Sequence, residues 1–305
     1  MTFQQLKYFI EIANHGSISK AAKNLYITQP SLSNALKELE TEIQVELFTR
    51  TTKGIMLTPD GVEFLGYARQ VIEQASLLEQ RYLGKKPPRR LCSISTQHYA
   101  FAVNAFVNMV KKCTADEYEF TLRETRTYEI IEDVKTLKSE LGILYINPFN
   151  KKVIEKLLRE SNLSFHHLLT AKPHIFISKT NPLASKEYVT PEDLEEYPCL
   201  SFEQGEHNSF YFSEEILSTS FRKKSIRVSD RATIFNLMIG LDGYTISTGI
   251  VSADLNGEHI TAVPLKVDDR MEVGWIAHNS IQLTKQATMY LDELKLYIDK
   301  NYSTQ

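Results

Sequence analysis

Between positions 29 and 43 the chain sets Gln29, Pro30, Ser31, Ser33, Asn34 and Lys37 around an apolar ladder of Leu32, Ala35, Leu36, Leu39 and Ile43. The ladder falls at i, i+3, i+4, i+7 and i+11, one stripe of an α-helix. The opposite face is left with short amides and hydroxyls and one cation, groups that donate and accept hydrogen bonds with little bulk. That chemistry suits reading base edges in a DNA major groove, the helix entering N-terminus first. Farther along, Arg50 and Lys53 supply cations able to reach phosphates or the minor groove. A small helical interaction domain would use the same pattern, so the flanking elements have to discriminate.

Those elements carry clear punctuation. Thr2 with Gln5 fits a capping box, Leu6, Phe9, Ile10 and Ala13 keep helical spacing, and Gly16 suits a C-terminal cap. Ser17 then caps a short second helix whose adjacent Ala21 and Ala22 allow a neighbour to approach closely. Thr28 caps the third, with Pro30 tolerated in its first turn. Phe48 to Thr58 reads as two short strands around a Lys53-Gly54 turn, a hairpin wing with Arg50 and Lys53 at its edge. After Pro59 a helix is expected to run to about Leu83. Phe64, Ala68, Val71, Ala75, Leu78 and Tyr82 form a heptad seam along it, for a second copy or for the helix's own domain. Gly84 to Arg90, with two prolines and four cations, reads as a hinge.

Residues 1 to about 75 resemble the N-terminal domain of LysR-type transcriptional regulators, through "LKYFIEIANHGSISKAAKNLYITQPSLSNALKELE" and "LFTRTTKGIMLTPDG". The resemblance puts Gln29, Pro30, Ser31, Ser33 and Lys37 on a recognition helix, with Ser17 beside it and Arg50 and Lys53 on the wing. Asn34 stands where the family usually has Arg, which would shift base preference towards adenine. Gln44 stands where it usually has Gly, in a helix-ending turn. The implied partners are a double-stranded operator, a small-molecule effector, RNA polymerase and further copies of the chain, as a dimer paired antiparallel through the linker helices and then a dimer of dimers. No cofactor, metal or membrane is implied.

Beyond the hinge, strand-like and helix-like segments alternate, which predicts a mixed α/β fold. The order is similar to the family's two-lobed effector domain, itself resembling type 2 periplasmic binding proteins. "SELGILYIN" matches its Gly-x-x-Asp-[Leu/Ile]-Ala-Ile strand with Glu140 for the Asp, "NPLASKEYVTPEDLEEYPCLSF" follows its pattern, and "GLDGYTISTGIV" departs from its Gly-x-Gly-Ile ending. The expected layout is a winged helix-turn-helix over 1–58, linker helix and hinge over 59–90, and effector domain over 91–305. Its first lobe would take 92–163 and 266–300, its second 164–265.

Ligands in such folds sit between the lobes, at strand ends and helix starts. Ser95, Thr96, Gln97 and His98 follow the first strand of the body, and Thr125, Arg126 and Thr127 follow the second. Both clusters bring hydroxyls and N–H groups to a helix start, which favours an anionic or zwitterionic metabolite, of amino-acid or sulfur metabolism as one guess, or else are ordinary helix caps. The other lobe would add Phe202, Glu203 and Gln204, with Ser247, Thr248 and Gly249. Control by a protein partner, or no ligand at all, is the alternative.

Composition agrees with a globular regulator. Of 305 residues, 42% are hydrophobic and 24% charged, enough apolar material for several cores. The net charge of -3 is uneven: residues 1–90 hold 12 Lys and Arg against 9 Asp and Glu, and the remainder 23 against 29. The positive end suits an anionic partner. Cys92, Cys113 and Cys199 lie far apart and read as reduced thiols. No signal-like start and no run near the roughly 18 apolar residues of a membrane span occurs, so a cytoplasmic protein is expected. No GxGxxG, GxxxxGK[ST], GxSxG or HExxH string appears, and an enzyme is not expected.

Overall fold

The computed structural model describes every residue except 52–53, 84–89, 116, 252–258 and 303–305, and, for 50, 51, 80, 81, 90 and 302, the backbone alone. The chain divides into two compact units, Met1–Pro88 and Arg89–Gln305.

The first unit begins with α1 (Phe3–His15), α2 (Ile18–Asn24) and α3 (Gln29–Ile43), followed by strands β1 (Phe48–Thr51) and β2 (Gly54–Leu57) and the long α4 (Pro59–Leu83). Caps fix each helix start. Thr2 and Gln5 form the capping box of α1, the Ser17 hydroxyl accepts from Lys20 N–H, and the Thr28 hydroxyl accepts from Ser31 N–H at 3.3 Å. Gly16 ends α1 at φ 58, and its carbonyl accepts from Ile55 N–H, which ties the wing to the helix. Leu6, Phe9, Ile12, Ala21, Ala22, Leu32, Leu36 and Leu39 are all buried in one core. Glu40 fastens α3 to the wing, its carboxylate accepting from Leu47 N–H at 2.7 Å.

Gln44 closes α3 in the left-handed region at φ 57, where a side chain is strained by roughly 1 kcal/mol. Gln44→Gly is therefore expected to stabilise this unit by about 0.5–1 kcal/mol in urea unfolding, partly offset by the freer unfolded chain.

The seam expected on α4 is split. Ala68 is only 2% exposed and belongs to the unit's own core, and Phe64 packs edge-on against Phe9 with ring centroids 5.1 Å apart. These two positions are spent within the chain, because α4 lies against α1 and its inward stripe fills that contact. Val71, Leu78 and Tyr82 stay exposed, Ala75 half-buried. Val71, Ala75 and Leu78 line an open groove with Phe3 and Lys7.

The second unit holds a five-stranded sheet in the order β4-β3-β5-β12-β6. Its parts are β3 (Arg90–Thr96), α5 (Ala100–Lys111), β4 (Tyr118–Glu124), α6 (Thr127–Lys135), β5 (Leu141–Ile146), α7 (Lys151–Glu160), β6 (Leu163–Ala171), β12 (Met271–His278) and the C-terminal α9 (Lys285–Tyr302). Strands β3, β4 and β5 run parallel through βαβ connections, and β12 is antiparallel to both its neighbours. Every residue of β5 is buried, as a central strand covered on both faces requires. Leu141, Ile143 and Tyr145 join the cluster of α5 and α9, whereas Leu144 and Ile146 join that of α6 and α7.

The second lobe is built on β7 (His174–Ser178), β8 (Cys199–Phe202), β9 (Ser225–Val228), α8 (Arg231–Leu241), β10 (Thr245–Ser247) and β11 (Ile260–Pro264). Strand β7 lies between β10 and β11, and β8 pairs with β9 in parallel. The lobe boundary expected at 164 is displaced. Strand β6 pairs with β12 from Leu163 to Ala171, so residues 164–171 belong to the first lobe, and the chain crosses only at Lys172-Pro173. Ladder pairing with β12, invisible in a local pattern, holds that stretch in the first sheet.

Candidate functional site

On the first unit, α3 turns Leu32, Leu36 and Leu39 inward, which leaves Gln29, Pro30, Ser31, Asn34 and Lys37 exposed and Ser33 half-buried. No acid lies in its first turn, so the positive end of the helix dipole is unopposed there. The Ser19 hydroxyl donates to Gln29 Oε1 at 2.8 Å, which holds that amide at the α2–α3 junction. Ser17 is the α2 cap. Arg50 lies on β1 with its side chain outside the described residues, as does Lys53 entirely.

In the second unit the predicted clusters do meet across the two lobes, but by other contacts than expected. Ser95 and Thr96 are fully buried. The Ser95 hydroxyl donates to Asp133 Oδ2 at 2.7 Å within a network that includes Ser139 and Arg123, and the Thr96 hydroxyl donates to the Gln97 carbonyl at 2.8 Å. Both hydroxyl protons are thus committed inside the first lobe and not to the other lobe. Gln97 is also internal, with Nε2 donating to the Thr127 hydroxyl at 2.6 Å and Oε1 accepting from Tyr145 N–H. The Thr125 hydroxyl donates to Glu129.

His98 faces the other lobe. Its ring stacks on Phe202 with centroids 3.8 Å apart and 5° between planes. Its N–H donates to Glu214 Oε2 at 2.9 Å, and Nδ1 lies 3.0 Å from the other carboxylate oxygen. Burial alone would lower the imidazole pKa, but the charge and hydrogen bond of Glu214 outweigh it and hold His98 above its ordinary value. The second helix start is filled likewise: Thr127 N–H donates to Gln204 Oε1 at 3.1 Å, and Arg126 pairs with Glu129 and Glu203. Protein groups thus occupy the N–H positions where an anion was expected.

Behind Glu214 lies Glu215, whose carboxylate accepts from Phe202 N–H at 2.9 Å. Burial, reinforced by the neighbouring Glu214 charge, pushes its pKa up to about 8. At the junction of β4 and α8, Arg231 Nε stands 3.2 Å from Glu124 Oε1. That geometry leaves Glu124 Oε1 and Arg231 Nη1 buried without a hydrogen bond, and burial holds Glu124 above the usual carboxylate range. His98, Phe202, Glu214, Glu215, Arg231 and Ser247 border a cavity of only about 30 Å³. Thr248 is buried with its hydroxyl accepting from Ile250 N–H, and the His174 ring lies where a side chain on Gly249 would project.

Sequence reasoning missed Glu214, Glu215, Glu124 and Arg231. The signal for the first two was the aromatic run Phe210-Tyr211-Phe212 followed by paired acids. Among the described residues, no group of three or more His, Cys, Asp or Glu could hold a metal, and no helix is long and apolar enough to cross a membrane.

Family models match two stretches: residues 3–62 to a bacterial regulatory helix-turn-helix protein of the lysR family, and residues 114–295 to a LysR substrate binding domain. Among curated relatives, the HTH-type transcriptional regulator YvbU of Bacillus subtilis is 26% identical, the match covering 87% of this chain and 85% of the relative. YnfL of Escherichia coli, also described as an HTH-type transcriptional regulator, is 24% identical over 90% of each chain. Of solved structures, full-length CbnR in complex with its target DNA aligns with a TM-score of 0.55 at 18% identity, over 97% of this chain and 100% of that one. A Corynebacterium glutamicum OxyR C206 mutant aligns at 0.53 and 18%, over 99% and 93%. The relatives are named as transcriptional regulators, a non-enzymatic family.

Proposed function

The chain belongs to the LysR family of DNA-binding transcriptional regulators, and from that premise we propose how it reads DNA and is controlled. Two copies pair through the open face of α4, their α3 helices read an operator of dyad symmetry, and a small metabolite between the lobes of the second unit modulates that binding. The observation that carries the reading is the exposed start of α3, whose small polar face and acid-free first turn fit a major groove and its phosphates. CbnR, whose full length was solved on its target DNA, supports the same use of this fold.

The test is anisotropy against an operator selected from random duplexes. Asn34→Ala is expected to cost about 1–3 kcal/mol on that operator and to relax the base preference at one position in each half-site. Lys37→Ala should weaken all sequences alike and reduce the salt slope by about 1. Unchanged affinity and salt slope in both variants would remove α3 from the interface.

A further inference from the structure

The segment from Glu203 to Glu215 leaves the second lobe and seats itself on the first. Phe212 is buried in the first lobe's cluster with Ile130, Ile131 and Leu144. Tyr128 stacks on His207 at 3.6 Å and meets Phe212 edge-on, and Phe149 stacks on Tyr211 at 4.8 Å. Tyr145 donates its hydroxyl to the Ser213 carbonyl at 3.1 Å. Glu203 pairs with Arg126, Gln204 accepts from Thr127 N–H, and Glu214 accepts from His98. Three aromatic side chains, a backbone carbonyl and three polar side chains of one short segment are therefore committed to the opposite lobe.

The cavity lined by residues of both lobes, at His98, Phe202 and Arg231, is about 30 Å³, whereas small-molecule sites run from roughly 300 Å³ upward. The larger hollows beside the segment, of about 520 and 370 Å³, are lined by the segment and the second lobe alone. The crevice is shut by the protein's own chain. The shut arrangement is not fully satisfied, since Glu124 Oε1 and Arg231 Nη1 at its edge lack hydrogen bonds that water would supply on opening.

We infer that Glu203–Glu215 is a resident plug of the interlobe crevice, and that an effector enters by displacing Glu214 from His98 and Phe212 from the first lobe. The inference rests on the reading that a small metabolite acts between the lobes. The chain carries a closed state of its own, and the apparent affinity of any effector is lowered by the fraction of molecules in which the plug is seated. Unseating it frees the N–H of His98 and widens the crevice in one movement.

Hydrogen exchange on the full-length protein tests the plug without any effector. In Glu214→Ala, and separately in Tyr145→Phe, which removes one hydroxyl and little packing, amides of 205–216 should exchange at least tenfold faster while those of β5 keep their protection. Unchanged exchange in both variants overturns the inference, as does wild-type exchange in this segment as fast as in an unstructured peptide. A thermal-shift and calorimetry panel of amino acids, dicarboxylates and inorganic sulfate then separates the two readings. A compound that binds Glu214→Ala at least tenfold more tightly than wild type supports displacement. Equal affinity for both proteins overturns it. No binding to either, combined with faster exchange in the variants, removes the small-molecule reading and leaves the plug as a fixed clasp.

Discussion

Ala68→Glu is expected to abolish operator binding by unfolding the DNA-binding unit, at a cost of about 3–5 kcal/mol. Ala68 is 2% exposed among Leu6, Phe9 and Leu36, so a carboxylate there has neither water nor a cation. Such a loss is a large share of a small unit's typical stability of about 5–15 kcal/mol. Urea unfolding followed by circular dichroism should show the first transition shifted or absent, with the second unit's transition kept. Leu78→Glu, ten residues along the same helix at 61% exposure, should leave that unfolding unchanged. It places a charge on the open face of α4, and sedimentation should shift from dimer towards monomer. A Leu78→Glu protein that sediments as wild type would show that this face is not where copies meet. If Ala68→Glu unfolds like wild type, α4 does not pack on α1 through Ala68.

Raising the pH from 5 to 8 is expected to weaken the second unit by an amount on the order of 4 kcal/mol, through Glu215. Its pKa, held up to about 8 chiefly by burial and further by Glu214, exceeds the unfolded value, so the folded state retains a proton that the unfolded chain has lost. Stability from this group is whole below the unfolded pKa and falls as pH rises, at about 1.4 kcal/mol per unit, until the folded pKa is passed. His98 acts in the same sense: its raised pKa means that its contribution is complete below 6.5 and is lost as pH climbs through the folded value. The groups facing this pair are Glu214, Glu124, Arg231 and Asp230, with Tyr99 and Tyr145, whose pKa values are raised further by burial and which stay neutral throughout. Asp230 is held low by its Thr233 hydrogen bonds and loses its contribution only in acid, outside this range.

His166 and His174 run the other way, because burial lowers both and their folded forms favour neutrality as pH approaches 6.5. Above about pH 7 they are neutral in both states. The interval from pH 7 to 8 therefore sets these two histidines aside and leaves the raised groups Glu215, His98 and Glu124, all of which act in the same sense. Urea midpoints measured across it should fall steadily in the wild type. Glu215→Gln keeps the acceptor for Phe202 N–H and cannot ionise, so its midpoints should fall much less. Parallel curves for the two proteins would show that Glu215 is ionised in the fold.

The sequence alone determined the elements whose information is local. The starts of α1, α2 and α3 follow from Thr2, Ser17 and Thr28, each bonding a backbone N–H three residues on. The extent of α3 and of α4, the apolar run of β5 and the small polar face of α3 follow from periodicity within a few turns or pleats. Only the tertiary structure decided which positions of the α4 heptad remain open, because Ala68 is covered by α1, from the far end of the unit. It likewise decided that β6 stays in the first lobe, since its partner β12 follows about a hundred residues later. The crevice was the least legible part. A hydroxyl at a strand end reads the same whether it meets a ligand or, like Ser95, an Asp133 38 residues away. The carboxylate that seats on His98 comes from 116 residues along the chain. Hydrogen-bond satisfaction in a buried site is a matter of which groups the fold brings within about 3 Å, and no short-range pattern encodes that.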